Sequence, residues 1–212
     1  MSLIRRRWLL AGVAVLTAVW AWPLPGAPLP AFSRHMIMHM AVVTVAAPLL
    51  AWSVAGTPLD PARRWPSTFS AIPASVAELV IVWGWHAPAL HHAARHQTIA
   101  LIVEQSTFLT AGFALWVAAI GGTPRERRQR ALAGVAGLLL TSMHMTLLGA
   151  LIALTPRVLY HHTPSGSALP PLEDQQLGGA IMLVVGGVAY LAGGLILTAK
   201  DLLARAHSGS QP

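Results

Sequence analysis

The sequence contains no cysteine. Neither a disulfide framework nor a thiolate metal site is therefore available to this chain. Charged residues are also scarce: they make up 10% of the 212 residues, whereas 55% are hydrophobic. The mean hydropathy of +0.59 excludes an ordinary soluble domain. Any site for a soft metal must be built from histidine and methionine.

Long apolar runs take the place of the missing charges. A helix needs about 20 mostly apolar residues to cross a hydrocarbon core roughly 30 Å thick. The sequence predicts an all-α fold, a polytopic membrane helical bundle that forms a single transmembrane domain over residues 1–212. We expect about six transmembrane helices, approximately over residues 8–24, 34–55, 71–91, 96–120, 131–155 and 175–199.

The formal net charge of +7 is divided unequally between the two membrane sides. With the N-terminus inside, eleven Lys and Arg residues flank the inner ends of the spans, and only Arg34, Arg95 and Arg157 lie outside. This positive-inside bias predicts that both termini are cytoplasmic. It also accounts for the basic charge without a nucleic-acid partner.

The first span has a second interpretation. The segment "RRRWLLAGVAVLTAVWAW" also has the basic and apolar regions of a cleaved signal peptide. We favour a retained helix, because the following "PLPGAPLPA" lacks a clean cleavage site with small residues. The other five spans are oriented in the same way under both interpretations.

Nine of the ten histidines are predicted to lie in the outer half of the bundle. In "HMIMHM", His35, Met36, His39 and Met40 form one stripe of a helix. His86 is expected near the outer end of the third span. In the fifth span, His144 can share a site with either Met143 or Met145 but not with both, because successive residues are 100° apart.

Each of these positions also has a simpler explanation. The stripe could be an interfacial helix start, with histidines facing water and methionines facing lipid. His144 could bond to a carbonyl of a neighbouring helix or to Glu104. Glu104, Gln105 and Asp174 are expected to support a ligand histidine without binding the metal themselves. Five further histidines are expected to be solvated, namely His91, His92, His96, His161 and His162.

The mixture of imidazole and thioether groups favours copper. Imidazole binds copper, zinc and iron, whereas thioether is a soft ligand typical of Cu(I). The sequence therefore predicts a Cu(I) site built from the histidines and methionines named above. The alternative cofactor is a haem b held between helices, with His39, His86 or His144 as axial ligands.

The predicted sixth span carries three glycine pairs, Gly178–Gly179, Gly186–Gly187 and Gly193–Gly194. Their spacing of seven or eight residues puts them roughly on one helix face, where small residues allow a neighbouring helix to approach closely. Asp174 precedes them, and we expect its carboxylate to cap the amides of its own helix.

Five segments in order resemble the CtaG-type family of cytochrome c oxidase assembly factors. They are "HMIMHMAVVTVAAPLLAWSVAGTPL", "VWGWHAPALHHAA", "EQSTFLTAGFALWVAAIGG", "LLGALIALTPRVLYHH" and "EDQQLGGAIMLVVGG". "WHAPAL" and "DQQLGG" are the most specific. The chain departs from the family pattern at Gln105, where relatives often carry histidine. The family pattern marks His39, Trp85, His86, Pro88, Glu104, Asp174, Gln175, Gln176 and Gly179.

The resemblance implies a membrane assembly factor, not an enzyme, that delivers copper to the copper centre of the respiratory-chain oxidase. Such a metallochaperone would lie in the lipid bilayer of a bacterial plasma membrane as a multi-pass protein, with its His/Met cluster on the outer, periplasmic half. Its partners would be cytochrome c oxidase subunits, and a homo-oligomer is compatible with the sequence. Two alternatives remain open: a haem-binding electron-transfer subunit, and a metal-free scaffold that docks oxidase subunits through its glycine face and outer loop.

Overall fold

The computed structural model describes residues 2–21, 30–160 and 169–209, with side chains to residue 203. All regular elements of these residues are helical, which confirms the predicted all-α class. In chain order the helices are α1 (Leu3–Ala21), α2 (Ala31–Val54), α3 (Pro61–Arg64), α4 (Ala71–His86), α5 (Pro88–His96), α6 (Thr98–Ile120), α7 (Pro124–Leu154) and α8 (Pro171–Gly209). Two of them contain a π-helical segment, Ala41–Ala46 in α2 and Met182–Gly186 in α8.

Four helices are long and apolar enough to cross a membrane, namely α2, α6, α7 and α8. Helix α4 is apolar but has only 16 residues, about 24 Å of helix. Helix α1 has 19 residues, and its basic start at Arg5, Arg6 and Arg7 shortens its apolar part. The protein is thus an integral membrane bundle in which four of the six predicted spans are full-length helices and two are shorter.

The predicted third span, residues 71–91, is wrong at its outer end. Helix α4 stops at His86, Ala87 is extended with ψ of 132°, and Pro88 opens a separate helix, α5. A residue before proline is disfavoured in the helical region, and proline itself is suited to the first helical turn. The short connection left between the predicted third and fourth spans, residues 92–95, therefore lies within a nine-residue helix.

Helix α7 begins at Pro124, seven residues before the predicted start at Ala131. The Thr123 hydroxyl accepts from the Glu126 amide, and the Glu126 carboxylate accepts from the Thr123 amide. This capping box satisfies amides that would otherwise lack partners at the helix start. The predicted span began only after the charged residues 125–130. The capping signal "TPRE" starts the helix before them.

The glycines of α8 allow it to pack closely against α7, α2 and α6, as the sequence predicted. A Cβ on Gly179 would lie 2.5 Å from the Ala153 amide nitrogen, and one on Gly149 would lie 2.5 Å from that of Leu183. Further along, a Cβ on Gly193 would lie 2.6 Å from the Trp116 ring. These contacts are internal, so this part of the glycine face is already covered by the chain itself.

The first π-helical segment lies beside a buried polar network. The Trp116 indole and the Tyr190 hydroxyl both donate to the Val43 carbonyl, at 3.3 and 3.4 Å. The Tyr190 hydroxyl also lies 2.6 Å from the Glu78 carboxylate, and Thr141 lies 3.5 Å from it. Glu78 is thus a hydrogen-bonded buried acid, deeper in the bundle than the histidines described next.

Candidate metal centre

The first half of α2 carries two histidines one helical turn apart on an inward face. His35 and His39 are 2% and 0% exposed, and their ring centroids lie 6.4 Å apart. His86, at the end of α4, lies 5.4 Å from His39 and 5.9 Å from His35. His91, in α5, lies 4.9 Å from His35. We call these four residues the histidine cluster.

Glu104 of α6 reaches the histidine cluster. One ligand atom from each of His35, His91 and Glu104 can be chosen so that all three lie within 4.8 Å of one another. The Glu104 Oε2 atom lies 3.9 Å from His35 Nδ1. The carboxylate is therefore among the ring nitrogens, whereas the sequence predicted that it would lie behind them.

Two neighbours neutralise and orient Glu104. The Arg95 guanidinium of α5 forms an ion pair with Oε2, and Gln105 Nε2 donates to the same oxygen at 3.1 Å. Trp20 of α1 in turn donates to Gln105 Oε1 at 3.3 Å. Gln105 thus orients the Glu104 carboxylate, and its predicted role in supporting a ligand histidine stays a prediction.

Aromatic side chains surround the histidine cluster. Phe108 of α6 packs on the His39 ring at 4.0 Å. Phe32 stacks on Tyr160 at 4.4 Å, and Tyr160 lies 4.7 Å from the His91 ring. The Tyr160 hydroxyl donates to the His86 carbonyl at 2.7 Å. Because burial raises the pKa of Tyr160 to about 12, this donor keeps its proton at ordinary pH.

Several nitrogens of the histidine cluster are available to a ligand. The His86 Nδ1 atom lies 2.6 Å from the Val82 carbonyl, so it carries the proton and leaves Nε2 as a lone-pair donor. In the part of the chain that the structure describes, His86 Nε2 and both ring nitrogens of His35 and His39 have no hydrogen-bond partner. Buried polar atoms usually have partners, so these unpartnered nitrogens are suited to bind a metal ion.

The spacing fits one metal ion. Two nitrogens bound to an ion at about 2.0 Å each can be at most about 4 Å apart. The atoms of His35, His91 and Glu104 are within 4.8 Å of one another. Side-chain movements of less than about 1 Å would bring them into bonding range.

Met36 and Met40 face α8 from helix α2, and Met145 faces α8 from helix α7. Met36 contacts the position where a Cβ of Gly178 would be, and Met40 Sδ and Met145 contact that of Gly186. All three are buried, whereas Met143 is 69% exposed. Of the two methionines beside His144, only Met145 therefore faces the interior.

His144 is buried in α7 but apart from the histidine cluster. Its ring makes no contact with the cluster rings in the described residues, and neither ring nitrogen has a hydrogen-bond partner there. One turn earlier, Thr141 bonds to Ser75 of α4 at 2.7 Å. The predicted alternative, a bond from His144 to Glu104 or to a carbonyl, is therefore not observed.

The expectation that His91 would be solvated is wrong, because His91 is 1% exposed. Pro88 starts a helix on which His91 and Arg95 are one turn apart, so that both face inward, while His92 and His96 face outward. The sequence signal was this i, i+4 spacing directly after a helix-starting proline. His161 and His162 lie outside the described residues.

A cavity of about 170 Å³ leads from the surface to His91. Arg95 and Tyr160 line it from the interior, and His92 and His96 line it near its exposed side. The histidine cluster is thus buried but adjacent to a route by which a small ion could arrive or leave.

The "EDQQLGG" segment supports the histidine cluster by bonding to backbone amides next to it. The prediction that Asp174 caps its own helix is wrong, because its carboxylate instead accepts from the Phe32 and Ser33 amides at 2.9 and 2.8 Å. These two amides belong to the first turn of α2, two to three residues before His35, where backbone amides have no acceptor within their own helix. Gln175 Oε1 accepts from the Leu159 amide at 2.7 Å, next to Tyr160.

A comparison with protein families identifies the family of the chain. The profile described as cytochrome c oxidase caa3 assembly factor (Caa3_CtaG) matches residues 2–201. Searches of curated proteins and of solved structures give no match. Because the family match covers nearly all of the 212 residues, the chain belongs to the Caa3_CtaG family of cytochrome c oxidase assembly factors.

Proposed function

We propose that this assembly factor binds a copper ion at the histidine cluster and delivers it to the oxidase. The observation that carries the proposal is the meeting of four buried imidazoles beside the Glu104 carboxylate. Among the described residues, His86 Nε2 and both ring nitrogens of His35 and His39 have no hydrogen-bond partner. Imidazole is a good copper ligand in either oxidation state. With no thiolate available, we assign the cargo as Cu(I), held by the imidazoles, because the buried thioethers of Met40 and Met145 face α8.

The size of the site favours a single ion over haem b. The rings of the histidine cluster contact one another directly, at 4.9 to 6.4 Å between centroids. The adjoining cavity of about 170 Å³ is smaller than the roughly 300–1,000 Å³ of ordinary small-molecule sites. A porphyrin would have to separate these helices.

Exchange with Arg95 provides a way to release the ion. Arg95 neutralises Glu104, and an incoming cation would take over that role. Arg95 also lines the cavity, so it can move toward the surface without crossing the bundle. Oxidase docking at this end, on the outer half of a bacterial plasma membrane, would return Arg95 to Glu104 as the ion leaves.

The test is copper retention together with oxidase assembly. We expect the detergent-purified protein to retain copper and its visible spectrum to show no haem Soret band. The His39→Ala/His86→Ala double variant should lose the copper. Cells that carry this variant should assemble an oxidase deficient in copper. The His92→Ala/His96→Ala variant is the matched control, because it removes two exposed histidines. Normal copper retention and oxidase activity in the cluster variant would refute the proposal.

The metal-free scaffold is less well supported in the form that the sequence suggested. Gly178, Gly179, Gly186 and Gly193 already contact Phe32, Ala153, Met145 and Trp116 inside the chain. These glycines are therefore unavailable as a docking face. A scaffold role would have to use other surfaces, and it would leave the histidine substitutions silent.

A further inference from the structure

A second cavity lies at the opposite end of the bundle from the histidine cluster. Helices α2 and α6 begin beside the cluster and end at this cavity, which has a volume of about 440 Å³. Four basic side chains line it, from α1, α7 and α8: Arg5, Arg127, Arg128 and Lys200. We call it the basic cleft.

Two cations of the basic cleft, Arg5 and Arg127, lie close to one point. A Cβ placed on Gly56 would lie 3.8 Å from Nη2 of both Arg5 and Arg127. On another wall, Lys200 Nζ lies 4.6 Å above the Trp52 ring. Among the described residues, none of the four cations forms an ion pair with a carboxylate, and Asp201 is the single acid that lines the cleft. Such an excess of positive charge attracts an anion.

The remaining lining is apolar. Trp52, Ile120 and Leu197 contribute side chains from three different helices. A site that combines basic groups with apolar walls between membrane helices fits a lipid, whose phosphate meets the cations and whose chains follow the apolar surface. The volume of about 440 Å³ falls within the range of small-molecule sites.

We propose that the basic cleft is a binding site for the headgroup of an anionic phospholipid. The lipid would join α1 to α7 and α8 at a point where their arginines and lysine otherwise repel one another. This site is separate from the histidine cluster, so it does not depend on copper binding. The same chemistry could accept a free phosphate, and the experiment separates the two sources.

The test variant is Arg127→Gln/Arg128→Gln/Lys200→Gln. It leaves Arg5 in place, because Arg5 donates to the Ala55 carbonyl at 2.7 Å and supports the fold. The matched control is Arg7→Gln/Arg64→Gln/Arg125→Gln, which removes the same charge from exposed residues that do not line the cleft. Native mass spectrometry of the delipidated full-length protein would measure the binding of phosphatidylglycerol, phosphatidylcholine with the same acyl chains, and glycerol phosphate.

We expect one phosphatidylglycerol to bind preferentially over phosphatidylcholine. Each cation near a headgroup contributes about a fivefold gain in affinity, so the cleft variant should lose on the order of a hundredfold, while the control retains most binding. Equal loss in both variants, or unchanged binding in the cleft variant, would overturn the proposal. Glycerol phosphate binding as tightly as the lipid would show a free-anion site instead. If the cleft variant does not fold, the single variant Arg127→Gln gives the same comparison against Arg125→Gln.

Discussion

The Arg95 guanidinium pairs with the Glu104 carboxylate at the edge of the histidine cluster. Arg95 is on the short helix α5 and Glu104 is on the membrane-spanning helix α6. The same carboxylate lies beside His35 and His91. Arg95 therefore supplies the positive charge beside Glu104, at the point where the proposed copper ion would be bound.

The Arg95→Gln variant tests this relationship. Loss of one partner leaves a buried charge uncompensated, which typically costs about 3–5 kcal/mol. We expect a lower melting temperature for the metal-free variant and a larger stabilisation by Cu(I) than in the wild type. Arg157→Gln is the control, because Arg157 is exposed. An equal copper-induced shift in wild type and Arg95→Gln would contradict the exchange mechanism.

Adjacent histidines of α5 provide a comparison within one helix. His91 belongs to the histidine cluster, whereas His92 is exposed at the cavity wall. The His91→Ala variant should bind Cu(I) about tenfold or more weakly, as measured by competition with a chromophoric chelator. His92→Ala should remain near the wild-type affinity. The reverse order would remove His91 from the proposed ligand set.

A close contact between α7 and α8 predicts a stability difference between two glycines. A Cβ at Gly179 would meet the backbone of Ala153 at 2.5 Å, whereas nothing lies within 4 Å of a Cβ at Gly84. Gly179→Ala should destabilise the protein by about 1–3 kcal/mol through overpacking. Gly84→Ala should be neutral or stabilising by up to about 1 kcal/mol. Thermal unfolding in detergent measures both, and equal effects would mean that α7 and α8 are not in close contact.

The contact from Asp174 to the start of α2 predicts a loss of stability on its removal. Asp174→Ala would leave the Phe32 and Ser33 amides without their acceptor, at a cost of about 0.5–2 kcal/mol. Glu173→Ala is the control, since Glu173 is a neighbouring exposed acid in the same helical turn. Because His35 follows directly, the Asp174 variant should also bind copper more weakly. Identical melting temperatures for the two variants would argue against the capping contact.

Much of the fold could be predicted because hydropathy and helix-forming signals are local. The apolar runs identified the membrane helices, and the glycine spacing identified a close-packing face. The errors fell at helix ends, at Pro88 and at the "TPRE" cap, where a few polar or conformationally restricted residues outweigh the average of a long window.

The candidate site was less predictable because it depends on how helices are rotated against one another. His35, His39 and His86 are together, as the copper prediction requires. His91 was expected to be solvated and is buried among them, whereas His144 is buried elsewhere. Met36 and Met40 share the stripe with the histidines in sequence, but they face α8.

The sequence by itself determined that this chain is an α-helical membrane bundle, and it predicted that nine of the ten histidines lie toward one end. Those properties follow from composition and from the order of residues along each helix. Only the tertiary structure decided which imidazoles meet, that Glu104 and Arg95 are paired beside them, and that Asp174 caps a helix distant in the chain. The physical reason is that such contacts depend on the rotation and depth of each helix, which close packing of the whole bundle sets.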